Sequence, residues 1–429
     1  MYGGLLKSAS AMAIVAAAGL FGISSAKAAD LGGDCCADLE ERVAELEATT
    51  ARKGNRKVSL VISGQISQEL LFWDDGIRND VYITGANTSN SRWRFVGTAK
   101  ISPEVTAGFL YELQTYASAS SSVNQTNGGD DLGITQSTLR EAMVWVEHSR
   151  LGRVSIGHGS NAANNSILVD LSGKGMAASN GVFLHQSAFL INNGAAYSGF
   201  TWGQFFQGTG DWLNTRNEHI QYRTPTIAGF SLGTSFGEDN YWDVEGRYSG
   251  EFNGVRIAGR LAYSVLSEFN LPTGAAPAAL FCDQNCDKEI RQLAGSLSVR
   301  HMPTGLFFTG AAGWRDTDNY QFVAAGPEFS TESSFYYLSA GVARNITGLG
   351  DSVFYGEYSE WKGVGADTNV LILEGDKLQH WGVGFVQHVD AAAMEFWLAY
   401  KNYTLDAPGL IAGGAEDLQV ITAGTRIRF

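Results

Sequence analysis

From Lys57 to the last residue the chain alternates apolar and polar positions with a period of two. Even positions from Val58 to Phe72 read Val, Leu, Ile, Gly, Ile, Gln, Leu, Phe. Odd positions from Ser59 to Trp73 read Ser, Val, Ser, Gln, Ser, Glu, Leu, Trp. Successive strand side chains point to opposite faces, so this ribbon has one apolar face and one largely polar face. The pattern returns with charges on the polar side. Trp93, Phe95, Gly97, Ala99 and Ile101 oppose Arg92, Arg94, Thr98 and Lys100. Val255, Ile257, Leu261, Tyr263 and Val265 alternate with Arg256, Arg260 and Ser264, and Ile421, Ala423, Ile427 and Phe429 oppose Thr422, Arg426 and Arg428. Thr138 to His148 reads with either face outward.

Two arrangements satisfy such strands. A sandwich buries the apolar face against a second sheet. A membrane barrel turns it to lipid and turns the charged face to a wet lumen. Several segments exceed ten residues, which suits a tilted membrane crossing better than a sandwich strand. Connections alternate in length, which is the stronger evidence. Tight turns fall near Pro103, Arg150-Leu151-Gly152, Pro225, Asn253-Gly254, Pro303, Gly348 to Gly350 and Asp390. Longer polar stretches lie between them, at 74–90, 117–136, 267–288, 316–333, 363–376 and 405–415. Short turns at one rim and long loops at the other predict an all-β, antiparallel transmembrane barrel over residues 57–429. Both termini on one side require an even strand number. Every candidate together gives eighteen strands; if Gln186–Tyr197 and Phe200–Phe206 belong to an inserted loop, the count is sixteen. Either leaves an aqueous channel.

Upstream the pattern differs. Lys7, the apolar run Ser8 to Ile23 and Ala26-Lys27-Ala28 read as a signal peptide over residues 1–28, which predicts export. Residues 29–56 hold one helical stretch, Asp38 to Arg52, with Leu39, Val43, Leu46 and Thr50 on one face. Its two heptads suit either a small periplasmic coiled coil joining subunits or a solvated linker helix. Four cysteines in an exported chain point to disulfides, and Cys282 and Cys286 are the candidate pair. Cys35 and Cys36 are adjacent, so they suit pairing between chains or the reduced state better than a bond to each other.

Composition narrows the function. Formal charge is −14, which argues against a nucleic-acid binder. Hydrophobic residues are 44% and charged residues 17%, which excludes a disordered chain. A mean hydropathy of −0.08 fits poorly with a helical membrane protein. P-loop, H-E-x-x-H and G-x-S-x-G motifs are absent, and Gly157-His158-Gly159-Ser160 is too little to argue an enzyme. No cofactor is implied. A barrel that tethers the cell wall with its pore closed is the remaining alternative.

The run Ala37 to Thr50, Lys53 to Leu60, Ser63-Gly64-Gln65, Phe72-Trp73-Asp74-Asp75-Gly76, Arg92 to Phe95, Ala99 to Glu104 and the closing Arg426-Ile427-Arg428-Phe429 resemble the outer-membrane porins of rhizobia and related alphaproteobacteria. The resemblance covers nearly the whole chain and is strongest before residue 115. It implies sixteen strands, a homotrimer, passive diffusion of small hydrophilic solutes and ions across the outer membrane, and one long loop folded into the lumen. The terminal Phe429 resembles the signal read by the outer-membrane assembly machinery.

In such a channel the narrowest section sets size cutoff and its charges bias ion choice. The candidate constriction loop is about 160–186, with Asp170 and Lys174, and Asp170 is expected to face basic wall residues across the opening. The basic wall candidates are Arg92, Arg94, Lys100, Arg140, Arg256 and Arg260, with Arg426 and Arg428 nearer the exit. Glu69, Glu112, Asp243 and Glu245 are acidic candidates. Trp73, Tyr263 and Phe429 suit an interfacial girdle.

Overall fold

The computed structural model describes residues 57–129, 136–179, 188–206, 216–238, 240–267, 289–318, 332–363, 376–409 and 411–429. The leader, the 29–56 helix and linker, and the four cysteines lie outside the described residues. Val61–Phe429 forms one unit. Its strands are β1 (Ser59–Asp74), β2 (Asn79–Gly85), β3 (Arg92–Lys100), β4 (Val105–Tyr116), β5 (Gln136–His148), β6 (Gly152–Ser160), β7 (Leu190–Asn192), β8 (Tyr197–Thr201), β9 (Arg216–Arg223) and β10 (Phe230–Gly237). They continue as β11 (Trp242–Phe252), β12 (Val255–Ser267), β13 (Glu289–His301), β14 (Leu306–Asp318), β15 (Glu332–Asn345), β16 (Asp351–Lys362), β17 (Lys377–Val389), β18 (Met394–Asp406) and β19 (Leu418–Arg428).

Each barrel strand pairs antiparallel with its neighbours, and β1 pairs with β19 to close the ring, Gln65 opposite Arg428 and Asp74 opposite Gln419. β2 and β3 both pair with β1 and are separated by a 3-10 turn at Asn87–Ser89, so they share one strand position. The result is a closed sixteen-stranded antiparallel barrel. The eighteen-strand count is corrected here: β7 and β8 pair only with each other, as a small hairpin off the barrel sheet. The stretch 74–90 is also no long loop. A tight turn anchored by Asp75, whose carboxylate accepts from the Ile77 and Arg78 amides at 3.0 and 2.8 Å, leads straight into β2.

The tight turns fall where the alternation breaks. Asn253 (φ 49°) and Gly254 (φ 75°) both lie in the left-handed region. Two such residues give the twist a two-residue hairpin needs between β11 and β12.

Faces follow parity. On β1 the outward side chains include Ile66, while Gln65, Ser67, Glu69, Leu71 and Trp73 are buried on the inner face. Leu261, Leu293, Leu297, Phe308, Leu338, Phe354, Val383 and Leu398 all face outward and are exposed. Leaving each such side chain in water forgoes about 1.5–3 kcal/mol. Acyl chains remove that cost, whereas no second sheet covers these outward side chains among the described residues. The ambiguity of residues 138–148 has a local cause. A bulge shifts the register so that Glu112 faces Glu141 while Leu113 faces Leu139, leaving Arg140 as the extra residue. Exposure therefore switches from Leu139 to the opposite parity at Val144 and Val146.

Aromatics pair outside, exposed Trp93 with exposed Phe429 at 5.1 Å and exposed Trp242 with half-buried Tyr263 at 5.7 Å between ring centroids. Trp73 does not join them. It has inner-face parity, is buried, and packs on Phe189 and Tyr82.

Candidate functional site

Alternation places Arg92 and Arg94 on the inner face of β3, with Glu112 of β4 directly opposite Arg94. The bulge brings Arg140 to the same spot. Glu112 accepts from Arg94 Nε at 2.7 Å, from Arg140 Nε at 2.7 Å and from Arg92 Nη1 at 3.3 Å. Its side chain is 2% exposed, against 45% for Arg94. Three guanidiniums thus share one sunken carboxylate.

The motif recurs on the wall. Glu245 of β11 is fully buried and lies beside Arg247 of its own strand, Arg223 of β9 at 3.3 Å and Arg260 of β12 at 3.8 Å. Glu395 of β18, also buried, contacts Arg426, Arg428 at 3.4 Å and His388 at 3.4 Å. In each group the carboxylate relieves repulsion among the cations, while Arg94, Arg247 and Arg428 keep access to solvent.

The segment after β6 lies against the inner wall and crosses strand after strand. The Ala162 amide donates to Ser235 Oγ at 2.6 Å and the Ala163 amide to Asp243 Oδ2 at 2.8 Å. Ser296 Oγ donates to the Ser166 carbonyl at 2.6 Å, and the Leu171 amide donates to Ser298 Oγ at 3.0 Å. His388 Nε2 lies 3.0 Å from the Gly173 carbonyl. Arg247, Arg260 and Arg300 reach the carbonyls of Ala162, Asn165 and Leu171. Met176, Ala177 and Ala178 pack with Tyr355, Val386 and Trp397 in one apolar cluster. Small residues and backbone groups suit this path, because the wall supplies serine and arginine side chains where a strand partner would be.

The contacts of Asp170 lie chiefly within its own loop. It accepts from Ser172 Oγ at 2.7 Å, from the Ser172 and Gly173 amides at 3.2 and 3.1 Å, and from Lys174 Nζ and Thr309 Oγ1 at 3.4 Å. Two-residue spacing makes this local turn the nearest source of donors. Burial pushes the Asp170 carboxyl up, but Lys174 and the Ser172 bonds together hold it below its ordinary value. Lys174 is itself buried, its ammonium 5.6 Å from the Tyr337 ring centre. Lys100 is exposed at the turn end of β3, and Arg256 pairs with Glu251 at 3.0 Å beside the Asn253-Gly254 turn. These two stand at the rim. Glu69, Glu112, Asp243 and Glu245 are all buried on the inner face.

His158 and Ser160 do not form a catalytic pair, since His158 Nδ1 lies 3.6 Å from Glu218 and Ser160 Oγ donates to Glu141 at 2.6 Å. Sequence reasoning missed Arg223, Arg247, Arg300 and Glu395. Their strands do alternate, and parity from Ile220, Val244, Leu297 and Phe396, all exposed, would have found them.

A family model described as Gram-negative porin matches residues 9–425. No curated protein matches. Among solved structures, the anion-selective porin from Comamonas acidovorans is 15% identical, with 87% of this chain and 100% of that chain covered and a TM-score of 0.55. The trimer form of OmpT from Vibrio cholerae is 11% identical over 87% and 99% of the two chains, with a TM-score of 0.52. Salmonella typhi OmpF in complex with daunomycin is 15% identical over 87% and 98%, with a TM-score of 0.52. These likenesses agree with the closed sixteen-stranded ring, and the family model spans nearly the entire sequence: the chain belongs to the Gram-negative porin family, outer-membrane channels for general diffusion.

Proposed function

We propose that this diffusion channel narrows between the inward loop that begins at Asn161 and the arginine-bearing wall of β3–β5, and that the narrowing favours anions. The observation that carries this reading is the asymmetry of the ion clusters: Glu112, Glu245 and Glu395 are sunk at 0–3% side-chain exposure, whereas Arg94, Arg247 and Arg428 remain open at 28–52%. A permeant ion in a narrow passage meets the nearer, less screened charge first. The negative net charge of the chain does not decide this, because it sums every acid of the chain whereas an ion in the passage meets the charges nearest to it. The Comamonas porin of similar fold is anion-selective, which agrees.

The remaining expectations belong to the same reading. The chain is exported by its 1–28 leader and assembles as a homotrimer among outer-membrane lipids. Phe429, exposed immediately after the last strand, serves recognition by the assembly machinery. The 29–56 helix lies on the periplasmic side, and the likeness to rhizobial porins supports an alphaproteobacterial type. Swelling of liposomes containing the purified protein, in sugars of graded size, tests the channel. Uptake that falls steeply with solute size is expected, and absence of swelling in the smallest sugar contradicts it.

A further inference from the structure

We infer that residues 188–206 form a fixed apolar block over the β12–β19 and β1 side of the channel mouth, pinned by Asp75, so that solutes enter along the arginine-bearing wall of β3–β5. The inference rests on the diffusion-channel reading and names the route that solutes take through its mouth.

The inner wall is not uniformly polar. Near the loop ends of their strands, Leu71, Trp73, Phe335, Trp361, Tyr403 and Leu418 face inward. In an open tube these side chains would be wet. They are instead 0–4% exposed, because Phe189, Ile191, Trp202 and Phe205 of the inserted segment join them in one apolar cluster. Phe189 lies 5.2 Å from Trp73 and Trp202 lies 6.2 Å from Tyr403, ring centre to ring centre.

Polar pins hold the block. Asp75, buried at the tip of the β1–β2 turn, accepts from Gln125 Nε2 at 2.9 Å and from the Tyr197 hydroxyl at 3.1 Å. Its carbonyl accepts from Asn192 Nδ2 at 2.7 Å. Burial and the Asp75 charge push the Tyr197 phenol up to about 12, so the pin keeps its proton at every physiological pH. Gln125 clasps both backbone groups of Leu190 at 2.8 Å. On the far side Asn193 Nδ2 donates to the Ala412 carbonyl at 2.9 Å, and the Glu416 amide donates to the Asn192 carbonyl at 3.0 Å. The hairpin is therefore tied to the turn after β1, to the 117–129 segment and to the connection between β18 and β19. Nothing comparable covers Arg94 among the described residues.

Accessibility to an anionic thiol reagent, 2-sulfonatoethyl methanethiosulfonate, tests the arrangement. Full-length protein with its four cysteines replaced by serine carries one probe at a time: Arg94→Cys on the open side, and Ser359→Cys or Ala311→Cys on the covered side. Channels in a bilayer are followed by their loss of conductance, and labelling is confirmed by mass. Arg94→Cys is expected to react rapidly. Both covered probes should react at least about tenfold more slowly, since they wait for local opening. Adding Asp75→Ala and Trp202→Ala should bring Ser359→Cys close to the open rate. Equal rates at open and covered probes in the unaltered hairpin overturn the block while leaving the channel standing. A protein that conducts nothing before reagent is added overturns the diffusion reading on which it rests.

Discussion

Arg94 and Glu112 face each other across β3 and β4 with Nε 2.7 Å from Oε2, yet only the arginine is open to solvent. The pair is a cation with its counter-charge hidden beneath it. That geometry makes Arg94 the most direct lever on ion choice. One unit charge at about 4 Å contributes about 1 kcal/mol in water and up to about 4 kcal/mol at an effective dielectric of 20. Arg94→Ala should therefore lower the anion-to-cation permeability ratio by roughly fivefold or more, and Arg94→Glu should invert it. Reversal potentials in a salt gradient measure both; an unchanged ratio in Arg94→Glu would remove Arg94 from the permeation path.

Glu112 has the opposite role. Glu112→Gln leaves Arg92, Arg94 and Arg140 around a neutral amide, so repulsion rises while the lumen becomes more positive. Stability should fall by about 1–3 kcal/mol, less than for a fully buried pair because Arg94 is half open to water. Anion preference should rise at the same time. Urea unfolding in detergent and reversal potential report the two effects separately.

Asp243 anchors the start of the inward loop. It accepts from the Ala163 amide at 2.8 Å, the Ser235 amide at 2.7 Å and the Tyr241 hydroxyl at 2.8 Å. Asp243→Ala strands those buried donors at about 1–3 kcal/mol each before relaxation. Single-channel records should show frequent sub-conductance steps where the parent is quiet. A record indistinguishable from the parent would mean that the loop is held elsewhere.

Acid should release the Asp170–Lys174 contact late. The folded-state carboxyl sits below its ordinary value, so its contribution is complete above that ordinary value and is lost only as pH falls through the lowered one. Current noise from this loop should stay flat from neutral pH down through the usual carboxylate range, then rise. Asp170→Asn should show the acid behaviour at neutral pH.

Much of this fold is written in the parity of single strands. The outer and inner faces of β1, β3, β12 and β19 follow directly from alternation, and six of the seven tight turns fall where Pro, Gly and Asn-Gly interrupt it, the seventh being at Asp390. Parity fails where a bulge inserts Arg140, because one extra residue exchanges the faces beyond it. It also fails for 74–90, where a polar run hides a strand continued by β2. The Gln186–Tyr197 and Phe200–Phe206 segments look like strands because they are apolar, yet that character serves packing on Trp73 and Tyr403 inside the ring. Site residues were legible as far as face. Arg92 and Arg94 share the polar face of β3, but alternation carries no depth, so Lys100 and Arg256 at the rim read the same as Arg94. Nor does it report local hydrogen bonds, which turn Asp170 onto Ser172.

The central claim is a wetted tube whose exposed inner charges are cationic. Recording the unmodified protein in a planar bilayer under a tenfold potassium chloride gradient tests it most directly. The account predicts large, nearly ohmic steps with a reversal potential on the chloride side of zero. A silent bilayer would contradict the tube, and a reversal potential on the potassium side would contradict the cationic wall.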